Sequence, residues 1–275
     1  MRDTVKNLLD FYINSSIHVS IAIVCLAGVT FLNFFIPVEI DLLIFIFFGS
    51  VTAYNFVKYA GIAKLHHLSL AKNLRIIQMF SLLAFIGLVL STFYQPLSVI
   101  LVAFIMGGFT ILYALPVFNN NRNLRGLPGV KIFVIAFVVS GVTVLMPLIH
   151  HTDIFSWDVF LEFLQRFTLV IVLILPFEIR DLRFDMAQLG TLPQKYGVAG
   201  TKIIGYALLS FIILVEFLKQ DRNIESVLSL MLTGFLVFIF LKKSTINQGR
   251  YYSSFWVESI PVVWLAILIF LQKII

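Results

Sequence analysis

Between Asp41 and Asp153 the chain carries no carboxylate, and charged residues make up only 12% of its 275 positions. A water-soluble domain carries about a quarter charged residues, so this composition excludes a water-soluble surface. Cysteine is nearly absent too. The single Cys25 lies inside the first apolar block, which excludes a disulfide within the chain and any cysteine-based metal site. Also missing is a basic stripe with interleaved aromatics outside the apolar blocks. The formal charge of +6 therefore does not point to nucleic acid.

What the chain has in quantity is apolar side chains: 60% of the residues, 29 of them phenylalanine, with a mean hydropathy of +1.00. They come in blocks long enough to cross a bilayer, which takes about 20 residues each. Nine such blocks are expected, near 17–36, 42–57, 76–94, 97–118, 130–149, 159–177, 203–217, 227–241 and 255–271. Met1 to Ser16, with Arg2, Asp3, Lys6 and Asp10, reads as a short amphipathic interfacial helix. The block after it is too long for a signal-peptide core and has no clear small-residue cleavage site, so it is taken as a retained first span. The expected fold is all-α: a polytopic membrane protein with nine transmembrane helices, residues 1–275 forming one membrane-embedded domain.

Lysine and arginine orient it. With the N-terminus in the cytoplasm, 16 of the 20 basic residues fall in inside segments. Lys219, Arg222, Lys273 and Arg166, near the outer end of the sixth span, are left outside. This is a strictly alternating positive-inside pattern, and it puts the C-terminus outside. The inside connections after spans two, four and six are also the longer and more polar ones, where function tends to sit. The expected location is a prokaryotic inner (plasma) membrane.

The most informative stretch is Pro176 to Gly197, which begins where the sixth span ends. If helical, Glu178, Asp181 and Asp185 fall at i, i+3 and i+7 and share one face, with Arg180 and Arg183 pointing elsewhere. Two readings fit this spacing. One is a solvated amphipathic helix whose Arg–Asp pairs contribute little. The other is a carboxylate face holding Mg²⁺ with a substrate phosphate, since that ion takes one or two carboxylates plus phosphate oxygens.

Arg180-Asp181-x-x-x-Asp185, then Gly190-Thr191-Leu192-Pro193 and Gly197, resembles the second Asp-rich motif of the UbiA superfamily of intramembrane prenyltransferases. The spacer before Thr191 is about one residue shorter than is usual in that superfamily. The superfamily has nine transmembrane helices with this motif after the sixth, where the span count places the stretch. Leu112-Tyr113-Ala114-Leu115-Pro116, with Arg122, Arg125 and Lys131 after it, resembles the end of the superfamily's fourth helix. The first Asp-rich motif departs from the pattern. Asn55 fits, but Phe56, Tyr59 and Ala63 stand at its acidic positions.

The resemblance implies a degenerate UbiA-like prenyltransferase. It would move a polyprenyl group from its diphosphate to a lipophilic acceptor in the membrane. Asp181 and Asp185 would be its catalytic and Mg²⁺-binding residues. Asn55, Lys58, Lys64, Tyr113, Arg122, Arg125, Lys131, Glu178 and Arg180 would bind substrate, with Lys58 and Lys64 supplying positive charge that the lost motif cannot recruit as metal. The missing motif equally suits a non-catalytic relative that binds isoprenoid lipid or a membrane partner. A transporter is disfavoured, because the central parts of the spans read as nearly bare of ionisable groups and Glu216 and Glu258 fall near span ends.

Overall fold

The computed structural model describes residues 2–59, 71–115, 129–183 and 190–274, and these are helical with no strand. Helix α1 (Arg2–Asn14) meets α2 (Ile17–Asn33) at a 57° bend. Ser15 and Ser16 make the elbow, Ser16 in the left-handed region at φ 63°. Helices α3 (Ile40–Tyr59), α4 (Ala71–Thr92) and α5 (Leu97–Ala114) follow. Helix α6 (Lys131–Ser140) continues through a π turn (Gly141–Leu145) into α7 (Met146–Leu148) as one span. Next come α8 (Trp157–Asp181), α9 (Leu192–Glu216) and α10 (Ile224–Lys243). The last span, Tyr252–Ile274, opens with a π turn (Tyr252–Val257) and ends as α11 (Ile260–Ile274).

Among the described residues, eight helices are long and apolar enough to cross a bilayer, and the bent α1–α2 pair makes a ninth. The nine expected spans fall on these elements in order. The chain is an integral membrane protein. Large apolar side chains such as Leu83, Phe104, Ile203 and Phe235 stand exposed on its outside. Such a surface is untenable in water and is what a helix presents to lipid.

The seventh span differs most from expectation, because α9 starts eleven positions before Ile203. The cause is local. The Thr191 backbone N–H donates to Gln194 Oε1 at 3.1 Å, and Pro193 sits in the first turn, where its missing N–H is harmless. Six residues into the helix, Gly197 at φ 68°, ψ 174° bends it, a conformation that favours glycine. In this structure, the Thr-Leu-Pro and closing Gly of the motif start and kink a helix.

The spans close into a ring: α2 packs on α3, α3 on α5, α5 on α6, α6 on α8, α8 on α9, α9 on α10, α10 on α11 and α11 back on α2, with α4 outside against α3. The α8 span is the most enclosed, with 67% of its apolar window buried against 17% for α4. Close approach at α9 depends on Gly205. A Cβ there would meet Leu175 Cδ1 at 2.8 Å and press into Leu241. Gly205→Ala is expected to lose about 1–3 kcal/mol by overpacking, read as a lower thermal midpoint in detergent.

Two sequence expectations are corrected here. Arg166, expected near the outer end of the sixth span, is not at the rim. It is buried about 14 Å along α8 from Trp157, 1% exposed, bonded to Leu26 O (2.6 Å), Thr30 Oγ1 (3.1 Å) and Glu162 Oε1 (2.7 Å). Nor is the sixth span bare, since it carries Glu162 and Arg166. Glu162 also accepts from Lys219, which donates to Glu216 and Gln165 as well. Within this set the two carboxylates balance the two cations.

Candidate functional site

The C-terminal ends of α3, α5 and α8 and the first turns of α6 and of the last span lie at the same end of the ring as the α1–α2 elbow. At this end α3 carries Tyr54, Asn55 and Lys58, α5 Tyr113, α6 Lys131, and α8 Glu178, Arg180 and Asp181. Of the residues singled out in the sequence, Lys64, Arg122, Arg125 and Asp185 lie outside the described residues.

Asn55 is 2% exposed, and its amide is fully occupied within the chain. Its Oδ1 accepts from Ser16 Oγ at 2.8 Å, and its Nδ2 donates to Ser15 O at 3.0 Å and to Ser81 Oγ at 2.8 Å. Lys58 Nζ and Tyr59 Oη both donate to Asn14 O, at 3.0 and 2.9 Å. That carbonyl ends α1, where a helix presents partial negative charge and favours a cation. The stretch that aligns with the superfamily's first acidic motif therefore moors the elbow.

The second-motif stretch also differs from the spacing argument. Glu178 and Asp181 are both on α8 but not in one cluster. Glu178 is buried and accepts from Lys131 Nζ at 2.8 Å, so the structure does join these two predicted residues. Asp181 stays partly exposed and receives Arg180 on both oxygens, at 2.7 and 3.2 Å. Arg180 does not point elsewhere. Its planar guanidinium matches a carboxylate as a two-pronged donor, and it also stands over the Phe177 ring at 5.2 Å. Arg183 reaches away, to Asn247 at 3.4 Å.

Of the two carboxylates expected to hold Mg²⁺, the structure describes Asp181 alone, and both of its oxygens take Arg180; no three His, Cys, Asp or Glu side chains converge among the described residues.

Glu258 was missed by the sequence reading, which placed it near a span end. It sits where the last span changes from π turn to α-helix. Lys58 and Arg180 both lie close enough to act on its charge, as do Tyr54 and Tyr12. It keeps some accessible surface although protein surrounds it, and Tyr54 does the same. The signal in the sequence was a carboxylate seven residues inside an apolar span.

Tyr54 lines an apolar slot of about 530 Å³ between α3, α5 and the α6 span, with Phe45, Ser50, Phe104, Met106 and Val142 among others. A smaller hollow of about 100 Å³ beside it carries Tyr54 and Tyr113 together.

A closed ring of apolar spans, with charged side chains gathered at one end, defines a polytopic helical membrane bundle. No protein-family model and no curated protein matches the chain. Two solved structures do. A UbiA homolog from Archaeoglobus fulgidus, bound to GPP and Mg²⁺, superposes with a TM-score of 0.62 at 12% identity, over 96% of this chain and 99% of its own. A digeranylgeranylglyceryl phosphate synthase superposes with a TM-score of 0.58 at 13% identity, over 100% of this chain and 98% of its own. The fold is UbiA-like.

Proposed function

We propose that the protein is a UbiA-like prenyltransferase that moves a polyprenyl group from its diphosphate to a lipophilic acceptor, with its working end at the cytoplasmic face. The observation that carries this is an apolar slot lined by Tyr54, which lies one helical turn from Lys58 on α3. A prenyl diphosphate has the same two-part chemistry. Its tail is stable only out of water, and its head needs cations, which Lys58, Arg180 and Lys131 bring to this end. Departure of the diphosphate is favoured where such donors are already fixed. Asp181 holds Arg180 in place, and Asp185 and the basic residues Lys64, Arg122 and Arg125 complete the proposed set.

The test is binding of geranyl diphosphate, supplied with Mg²⁺, and transfer of its labelled prenyl group by purified protein. Arg180→Ala is expected to weaken binding roughly tenfold, the loss of one charge-assisted contact. Asp181→Ala is expected to lower transfer at least as much. Absence of any wild-type binding would overturn the proposal. Binding without transfer would select the second reading, a non-catalytic isoprenoid-binding protein. That reading is favoured by one observation: the first-motif stretch is committed to the elbow.

A further inference from the structure

At Gly205 and Gly141 the helices pack closely. A Cβ on Gly205 would meet Leu175 at 2.8 Å, and one on Gly141 would press into Met106. Gly107 on α5 is different. A Cβ built there meets nothing within 4 Å among the described residues, and one on Gly49 of α3 meets Leu88 Cδ1 at an ordinary 3.6 Å. Both glycines line the apolar slot. Each has a small partner four residues away on the same helix face, Ala53 for Gly49 and Ala103 for Gly107, and these line the slot too. Small residues at this spacing usually let membrane helices approach closely. Here they border a space of about 530 Å³ instead.

The space has a length and a direction. Its lining runs from Phe45 to Phe56 on α3 and from Ile100 to Ile111 on α5, eleven residue steps in each case. At about 1.5 Å per step, the slot is about 16 Å long. The α6 span runs the opposite way and lines it from Val138 to Met146. Phe56, Ile111 and Val138 stand toward the charged end of the ring, and Phe45, Ile100 and Met146 toward the other. An extended chain advances about 1.2 Å per bond, so a prenyl unit, with four bonds along its chain, covers about 5 Å. Three such units fill the slot, and a fourth has no room in it.

We propose that the slot takes a donor tail of three prenyl units, the length of farnesyl diphosphate, and that Gly107 and Ala103 set this length by leaving the path open. This rests on the transferase reading above. The tail starts beside Tyr54, one helical turn from Lys58, and runs toward Phe45. Gly107 lies four residues from Ile111, about 6 Å along the slot, just past the first unit. Ala103 lies eight residues from Ile111, about 12 Å along, just past the second. The competing occupant is an acyl chain of the bilayer, because Phe104 and Ile111 line the slot and also stand exposed on the outside of the bundle.

The experiment measures binding of dimethylallyl, geranyl and farnesyl diphosphates, supplied with Mg²⁺, to the full chain in nanodiscs. Each variant is compared with wild type donor by donor, which cancels the tail's own partition into lipid. Gly107→Phe puts a ring behind the first unit. Affinity for the geranyl and farnesyl donors should fall roughly tenfold or more, the scale of an overpacking clash, while that for the dimethylallyl donor stays within about twofold. Ala103→Phe should weaken the farnesyl donor alone. Gly108→Phe is the control for replacing a glycine of α5, since a Cβ on Gly108 also meets nothing within 4 Å among the described residues but Gly108 does not line the slot. It should leave all three affinities within about twofold of wild type. A farnesyl donor carrying a diazirine at its tail end should label Phe45, Ile100 or Met146 on illumination, read by mass spectrometry. Losses that do not grow with tail length, no loss in Gly107→Phe, or label away from that end overturns this inference alone and leaves the slot to a lipid acyl chain. Wild type that binds none of the three donors overturns the transferase reading and this inference with it.

Discussion

Glu162→Ala is expected to destabilise the protein by about 3–5 kcal/mol, the largest effect of any single substitution considered. The reason is what it leaves behind. Glu162 is fully enclosed and accepts from Arg166 at 2.7 Å on one oxygen and from Lys219 at 2.7 Å on the other. Without it, Arg166 remains inside the bilayer region with the Leu26 carbonyl, Thr30 and the face of Trp264 at 5.2 Å, and no carboxylate. Its Nε already lacks a partner. Lys219 retains Glu216 at 2.6 Å. The measurement is denaturant or thermal unfolding in detergent. Glu162→Gln keeps the shape and loses the charge, so it should fall well short of wild type as well. An effect of either substitution below about 1 kcal/mol would place the cluster among exposed ion pairs, which contribute that little.

The same cluster fixes a pH dependence. Burial alone would depress the Lys219 ammonium, but the Glu162 and Glu216 carboxylates more than offset it and hold it above its ordinary value near 10.5. A raised folded-state value means that this stabilisation is fully present below the unfolded value. It is lost only as pH climbs through the folded one. Stability carried by Lys219 should therefore be flat through neutral pH and fade only in strong alkali.

The second large effect is expected at the elbow. Asn55→Ala removes three hydrogen bonds that join α3 to Ser15, Ser16 and Ser81 and leaves the buried Ser15 carbonyl and Ser16 hydroxyl short of a partner. About 2–3 kcal/mol should be lost, with faster amide exchange along α1, which Asn55, Lys58 and Tyr59 hold through Ser15 and Asn14. The affinity of the folded fraction for geranyl diphosphate should stay within about twofold of wild type, because the amide is turned to the elbow. A sharp fall in affinity with unchanged stability would return Asn55 to the substrate-binding role the resemblance gave it.

These residues show how far the chain could be read without coordinates. The spans were legible because membrane insertion depends on local sums: each stretch of about 20 residues meets the lipid largely on its own composition. The chemistry of the site was legible only where it was local. Lys131 and Glu178 were both named from the sequence, but their contact joins α6 to α8 across the ring. Arg180 was assigned a face by helical spacing, yet within an intact helix its flexible guanidinium reaches its neighbour Asp181 in a two-pronged carboxylate contact. Arg166 was read as a rim charge because a count of basic residues weighs each alone. The i, i+4 pairing with Glu162 was present in the sequence and marked a neutralised pair.

By itself the sequence determined that this is an all-helical membrane protein, the order and approximate limits of its spans, and the two stretches that resemble UbiA motifs. Only the tertiary structure decided that the first of those stretches ties down the elbow and that four buried charges neutralise one another inside the bundle. It also decided that Glu258, from the far end of the chain, comes within electrostatic reach of Lys58 and Arg180. The physical reason is range. Hydropathy acts over a single span and is written in consecutive residues. The partner of a buried charge is set by ring closure, which brings α11 against α2 and leaves no mark in the local pattern.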